Sequence, residues 1–297
     1  MPYLSPHGTM KPPLGAQIDP AHPLGQDACV VVPFHEGCGL PSVLRGVDPL
    51  ALGGIPPSLR LVPIGAPTWN SNREGVTGRC GTTADAWYLG VTGSAKWVPQ
   101  AAITIAFIRR KLDATNRNTP IFTCNSVATW SGTASCMVIC PYSTGTVFWD
   151  FGGTSGANRL TVAGLSFSTT IPERWIFTAG PAGSAIWRDG IKLASQATAI
   201  TRTVETGSGT PAINYGDALS NADVQEFNFL QVSARQWSDE VCRWWSAEPY
   251  AHLYPRPMTF VGSSHGKGRL PAGIVGATAP SAAASGTGPL LTTVGVG

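Results

Sequence analysis

Three places in this chain hold residue types that chemistry needs, and each lacks a partner. Asn221-Ala-Asp223-Val-Gln-Glu226 comes nearest to a paired-carboxylate site. Glycosidases of that kind carry Glu-x-Asp-x-x-Glu on a strand, one acid attacking the sugar and the other protonating the leaving group. Here Asn221 holds the nucleophile position, and an amide cannot form the glycosyl-enzyme bond. On a regular strand Asp223 and Glu226 also point to opposite faces. His35-Glu36-Gly-Cys38 offers metal-ligand types, but in a glycine-rich turn with no second cluster, so a turn held by local hydrogen bonds is expected. Cys136 and Cys140 share one face of a β run about 13 Å apart, too far for a disulfide or a common metal. No Gly-x-Ser-x-Gly, phosphate loop or His-Glu-x-x-His occurs. The expectation is a chain without catalytic residues, metal or cofactor.

What remains is binding. Trp69 lies in Pro67-Thr-Trp-Asn and Trp130 in Thr129-Trp-Ser-Gly, both polar loop contexts. Loop tryptophans stack on sugars, anchor partners, or pack over the end of a sandwich. The 297 residues are 12% charged, against roughly 25% for an average soluble domain. Low charge suggests a surface covered by partners. A net charge of +3 gives no case for nucleic acid, and Arg109-Arg110-Lys111 reads as a strand end at the solvent. No run of 18 apolar residues predicts a membrane span. The first 25 residues hold six prolines and no apolar signal segment, so synthesis in the cytoplasm is expected. Seven cysteines, an odd number spread widely, read as buried thiols.

The elements that must position these residues are short strands. Gly (35) and Pro (25) are abundant, which favours strands joined by turns. Runs at 28–34, 87–91, 101–109, 120–124, 135–142, 146–151, 159–167, 173–179 and 225–234 read as β. Asp189-Gly190 predicts a type I′ hairpin, since both central residues need positive φ. In the last run Phe227, Phe229 and Gln231 alternate with Asn228, Leu230 and Val232, so both faces are expected to be covered. A helix follows, capped by Ser238 with Asp239 and Glu240 in its first turn. Val241, Trp244 and Trp245 form its apolar stripe, Pro249 ends it, and it is expected to plug one open end of a sandwich.

Residues 1–27 read as an extended proline-rich arm, 28–256 as the domain, and 257–297 as a low-complexity arm. From Ser263, 25 of 35 residues are Gly, Ala, Ser, Thr or Pro, and no acid follows Glu248. Such a segment cannot bury a core of its own. Both arms are therefore expected to lie along neighbouring subunits, through Pro12, Pro13, Leu14, Leu270, Ile274, Val275, Leu290 and Leu291.

Several passages, in order, resemble the laminin-G-like, concanavalin-A-like domains carried on tailed-bacteriophage virions. They are Lys11-Pro-Pro-Leu-Gly-Ala-Gln-Ile-Asp19 with His22-Pro-Leu24, and Val30-Val-Val-Pro-Phe-His-Glu-Gly-Cys-Gly39, where His35 replaces the usual Asn. Gly78-Arg-Cys-Gly81, Trp175, Trp187-Arg-Asp-Gly190 and Val232 to Glu240 complete the series over about 230 residues. The phage context rests mostly on the leader and on Glu248-Pro-Tyr and Tyr254-Pro-Arg256. The resemblance implies an all-β, two-sheet antiparallel jelly-roll sandwich with one short C-terminal helix and extended N- and C-terminal arms. It implies a structural virion protein, first a capsid decoration protein and next a tail or fibre component, with other virion proteins and copies of itself as partners. A glycan-binding adhesin is the alternative. Some such domains hold calcium on rim aspartates, but Asp85, Asp189 and Asp217 are isolated, so none is assigned.

Overall fold

A computed structural model describes residues 11–12, 14–46, 59–90, 97–124, 133–203, 209–215 and 222–254. In chain order the first strands are β1 (Gln17–Ile18), β2 (Ala28–Val32), β3 (Leu44–Arg45), β4 (Leu61–Ile64), β5 (Thr68–Asn72) and β6 (Gly75–Cys80). Next come β7 (Ala86–Leu89), β8 (Ile103–Lys111), β9 (Pro120–Thr123), β10 (Cys136–Ile139), β11 (Val147–Phe151) and β12 (Arg159–Val162). The chain continues through β13 (Glu173–Gly180), β14 (Gly183–Arg188), β15 (Ile191–Gln196), β16 (Ala212–Ile213) and β17 (Gln225–Ser233). Helix α1 (Asp239–Ala247) and β18 (Leu253–Tyr254) close it.

Two antiparallel sheets face each other in a jelly-roll sandwich. The smaller has the order β12-β11-β10-β9-β16-β7-β4, and the larger β15-β14-β13-β8-β17-β2-β3. The β5–β6 hairpin joins the larger sheet through the first half of β17. At the predicted Asp189-Gly190 turn between β14 and β15, φ is 50° and 82°, as a type I′ hairpin requires. Between the sheets, Val30, Val32, Phe107, Trp175, Phe177 and Leu230 meet Trp87, Ile121, Val138, Trp149 and Phe151. Each such side chain contributes about 1.5–3 kcal/mol by leaving water.

The outer face of the larger sheet carries a second core. Val31, Ile108, Ile176, Trp187 and Phe229 pack there under Trp237, Cys242, Trp245, Tyr250 and Leu253. The helix therefore lies on the sheet and does not plug the open end expected for it. An apolar sheet face needs a cover as long as itself, and α1 with β18 supplies one. The helix rotates accordingly: Cys242 and Trp245 are buried, while Trp244 is exposed against the His22 ring, 4.7 Å away. A register shift between Phe227 and Phe229 adjusts the expected alternation, so Phe227 and Leu230 face inward and Phe229 outward.

The leader completes that cover. Ala16 and Leu24 are buried on the second core, β1 pairs with β18, and the Leu24 carbonyl accepts from Gln231 Nε2 at 2.7 Å. Residues 14–27, read as an arm reaching a neighbouring subunit, thus pack on their own domain. The outward amide of Gln231 and the free edge of β18 need partners, and the leader is the nearest chain that supplies them. Pro12 is buried and its carbonyl lies 3.3 Å from His35 Nδ1, whereas Leu14 is 64% exposed. Pro13, Leu270, Ile274, Val275, Leu290 and Leu291, and the whole 257–297 segment, lie outside the described residues.

Arg109-Arg110-Lys111 is not a solvent-facing strand end. Arg109 is fully buried and Lys111 is 1% exposed. Alternation sends Arg109 and Lys111 inward and Arg110 outward, and each meets an acid. Arg109 lies 3.6 Å from Glu173, Lys111 3.3 Å from Asp223, and Arg110 2.9 Å from Glu226. Arg109, Lys111 and Arg188 also surround the Phe167 ring at 5.1, 5.7 and 5.8 Å. Glu226 accepts further from Asn70 at 3.0 Å and Asn72 at 2.5 Å, tying β5 to β17 across β6.

Removing one partner of a buried pair strands the other, at about 3–5 kcal/mol. Glu226→Ala should therefore lower unfolding stability in urea by about that amount, and Glu226→Gln by less, because its amide oxygen still accepts. A second prediction concerns His252, fully buried edge-on to Phe229, with no partner for either ring nitrogen among the described residues. Burial pulls its pKa down from the usual 6.5 to about 3, and His22 shifts downward too. Below pH 6.5 the unfolded chain takes up protons that the folded chain refuses. Stability is therefore full above pH 6.5 and falls, as pH drops toward 3, by up to about 1.4 kcal/mol per unit for His252. His252→Phe should lessen the fall in thermal midpoint between pH 6.5 and 5, leaving the part due to His22, without lowering it at pH 7.5.

Candidate functional site

Trp69 stands on β5 opposite Gly78 of β6. It is half-buried, and its indole Nε1 donates to the Gly39 carbonyl at 3.0 Å, which fixes the plane of the ring. Beside it opens a cleft of about 300 Å³. Trp69, Trp87, Gly78, Leu40, Pro41 and Pro63 are among the residues that line it, with Pro67. Gly78 must lack a side chain, since a Cβ there would meet Phe34 Cδ1 at 2.4 Å and Trp87 Cη2 at 3.2 Å. That close approach lets Phe34 stack on Phe227 at 6.0 Å while Trp87 meets the same ring edge-on at 6.1 Å, which anchors this side of the cleft in the main core. Three prolines and a tethered indole make the cleft rigid, so a ligand meets a preformed surface. Its size suits one flat ring.

The other aromatic named from sequence, Trp130, lies outside the described residues. Asp223 and Glu226 do not meet. Asp223 faces inward on Lys111 and 3.7 Å from Arg117, Glu226 faces outward on Arg110, and both are fully buried. Desolvation pushes the Asp223 carboxyl above its usual range and the Lys111 amine below its own. The two stabilise each other across 3.3 Å and reach no cleft described here. His35 sits 3.2 Å from Glu36, whose carboxylate accepts from the Ser42 amide at 2.7 Å, the locally bonded turn expected. Asp85 holds the amides of Ala66 and Thr82 at 2.9 and 2.8 Å, and Asp189 that of Arg174 at 2.9 Å. Asp217 lies outside the described residues. No disulfide joins the seven cysteines, all of them among the described residues, and Cys38 alone is exposed.

Two further clefts were not expected from the sequence. One, of about 410 Å³, lies between Arg174, Arg188 and Arg73. Two of its cations are already committed, Arg174 to Glu74 at 3.2 Å and Arg188 to Glu173 at 2.9 Å. The other, of about 470 Å³, runs between the β14–β15 edge and the start of α1, along Ser184, Gln196, Trp237 and Asp239. Sequence reasoning missed it because its residues come from four separate elements. The one available signal was Trp237, a tryptophan immediately before a helix cap.

No family model and no curated protein sequence matches the chain. Its fold is similar to domain 4 of AbnA, an extracellular arabinanase from Geobacillus stearothermophilus, solved in complex with arabinotriose. The TM-score is 0.52 at 9% identity, covering 77% of this chain and 98% of that one. It is also similar to the receptor-binding domain of botulinum neurotoxin mosaic serotype C/D, at TM-score 0.52 and 10% identity over 75% of this chain and 51% of that one. The binding domain of Paraclostridial Mosquitocidal Protein 1 gives 0.51 at 10% identity, over 76% and 53%. The chain spans about half the length of these toxin domains. At such identities the likeness establishes a shared fold: a jelly-roll sandwich of the kind found in carbohydrate- and receptor-binding domains.

Proposed function

We propose that this chain is a non-catalytic recognition domain that attaches to surface glycans through the Trp69 cleft. The observation that carries the reading is the geometry of Trp69. The residue is half-buried, tethered by its indole N–H to Gly39, and lines a cleft of about 300 Å³. An indole held in this way loses little freedom on stacking against a sugar. Two further observations support it. The carboxylates that a glycosidase would use are buried on opposite faces against cations. A structure of the same fold was solved with arabinotriose bound. Trp69→Ala should abolish binding on a glycan array, a loss of at least about tenfold for a single stacking contact, with the folded spectrum retained. A flat array for the intact protein would dispose of the reading.

A second reading places the domain on a tailed-phage virion, as a capsid decoration protein or next as a tail or fibre component. The motif order and the charged content of 12% favour it. Because residues 14–27 are committed to their own domain, residues 257–297 become the principal attachment arm in this reading. The two readings are compatible, since a decoration protein can also bind sugars. Deleting residues 263–297 should abolish incorporation into particles, read by mass spectrometry, while the sandwich stays folded. Unchanged incorporation would count against the arm.

A further inference from the structure

The lining of the Trp69 cleft narrows the sugar it can hold. Resting on the glycan reading of that cleft, we propose that it takes a 6-deoxyhexose, whose C6 is a methyl group where an ordinary hexose has a hydroxymethyl.

Charge gives the first constraint. None of the described residues that line the cleft is charged. A sugar carboxylate or ammonium would leave water there without a counter-ion, which disfavours uronic and amino sugars.

Hydrogen-bonding side chains are as scarce. The indole N–H of Trp69 is committed to the Gly39 carbonyl at 3.0 Å, and leucine and proline side chains have neither donor nor acceptor. Pro41, Pro63 and Pro67 lack even a backbone N–H. Thr68 also borders the cleft, but it precedes Trp69 on β5, so strand alternation turns its hydroxyl to the opposite face. A hydroxyl pressed against this lining gives up water and gains little in return. The part of the sugar that enters must therefore be apolar.

A 6-deoxyhexose meets that demand. Its methyl extends the apolar edge formed by the ring C–H groups, and the ring hydroxyls can stay at the mouth in water. In the parent hexose the same position carries a hydroxyl, which the lining would strip of water. Leu40 is placed to meet the methyl. It lines the cleft, is 50% exposed, and lies between Gly39, which tethers the Trp69 ring, and buried Pro41. Glu36 closes this loop, its carboxylate accepting from the Ser42 amide at 2.7 Å. A leucine so exposed and so fixed sheds water under a ligand methyl at little entropic cost. Pro63 is exposed and Trp69 half-buried, so a ligand reaches the slot directly from solvent.

The test is a titration of the full, nitrogen-15-labelled chain, read through the indole N–H signal of Trp69, which Trp69→Phe assigns. The probes are two matched pairs, L-fucose with L-galactose and L-rhamnose with L-mannose, each pair differing only at C6. At least one 6-deoxy sugar should bind about tenfold tighter than its parent, the scale on which an apolar pocket tells a methyl from a hydroxyl-bearing group. Saturation transferred from the protein should be strongest on the sugar methyl. Leu40→Ser should bring the ratio within a pair close to one. Parents that bind as tightly as their 6-deoxy partners would overturn the proposal, as would a preference unchanged in Leu40→Ser. If array glycans without a 6-deoxy sugar bind through Trp69 while all four probes fail, the sugar class is wrong and the glycan reading stands. If no glycan or probe binds, the glycan reading falls and takes this proposal with it.

Discussion

Strand β8 sets three consecutive cations against three acids, on alternating faces of one sheet. Lys111, Arg110 and Arg109 stand opposite Gln225, Glu226 and Phe227. Arg110 meets Glu226 on the outside, while Lys111 meets Asp223 and Arg109 meets Glu173 on the inside. A slip of one residue would turn every one of these charges to the wrong face. Buried ions tolerate no such error, because each would lose its partner without gaining water. The rest of the larger sheet is built outward from β8 and β17: β13 through Glu173, the β5–β6 hairpin through Asn70 and Asn72, and β2 beyond.

Both faces of that sheet are thereby committed to burial. One face meets the smaller sheet, and the other is closed by α1, β18 and the leader. The described clefts consequently lie at edges and seams. The Trp69 cleft sits where the β5–β6 hairpin extends the sheet, and the Trp237 groove where α1 begins over the β14–β15 edge. The acids resembling half of a glycosidase motif are part of the ladder that holds the fold.

Much of the architecture was legible because local signals agreed with the final packing. Asp189-Gly190 specified its hairpin, Ser238 its cap, and the mixed faces of β17 announced burial on both sides. The failures share a cause: long-range partners leave no local trace. Arg109 and Lys111 look solvent-bound until Glu173 and Asp223 arrive from 64 and 112 residues away in the chain. The leader reads as a free arm because Ala16 and Leu24 have no visible destination before β17 and β18 exist. The strand Ala212–Ile213 is too short to show a period, yet two neighbours pair with it. Of the candidate site, Trp69 was picked out as a loop tryptophan, but it stands on strand β5, because its pairing with Gly78 of β6 leaves no local trace. Its tether to Gly39 and the lining by Gly78 and Trp87 were not legible, because they come from elsewhere in the chain.

The central claim is that the domain holds sugar without cutting it. Incubating the protein with an end-labelled neutral oligosaccharide, and measuring retained label and new reducing ends in the same sample, tests this directly. The account predicts that the label is retained and recovered intact, with no new reducing ends over time. New reducing ends that disappear in Glu226→Gln or Asp223→Asn would contradict it, because the ladder acids would then be performing catalysis.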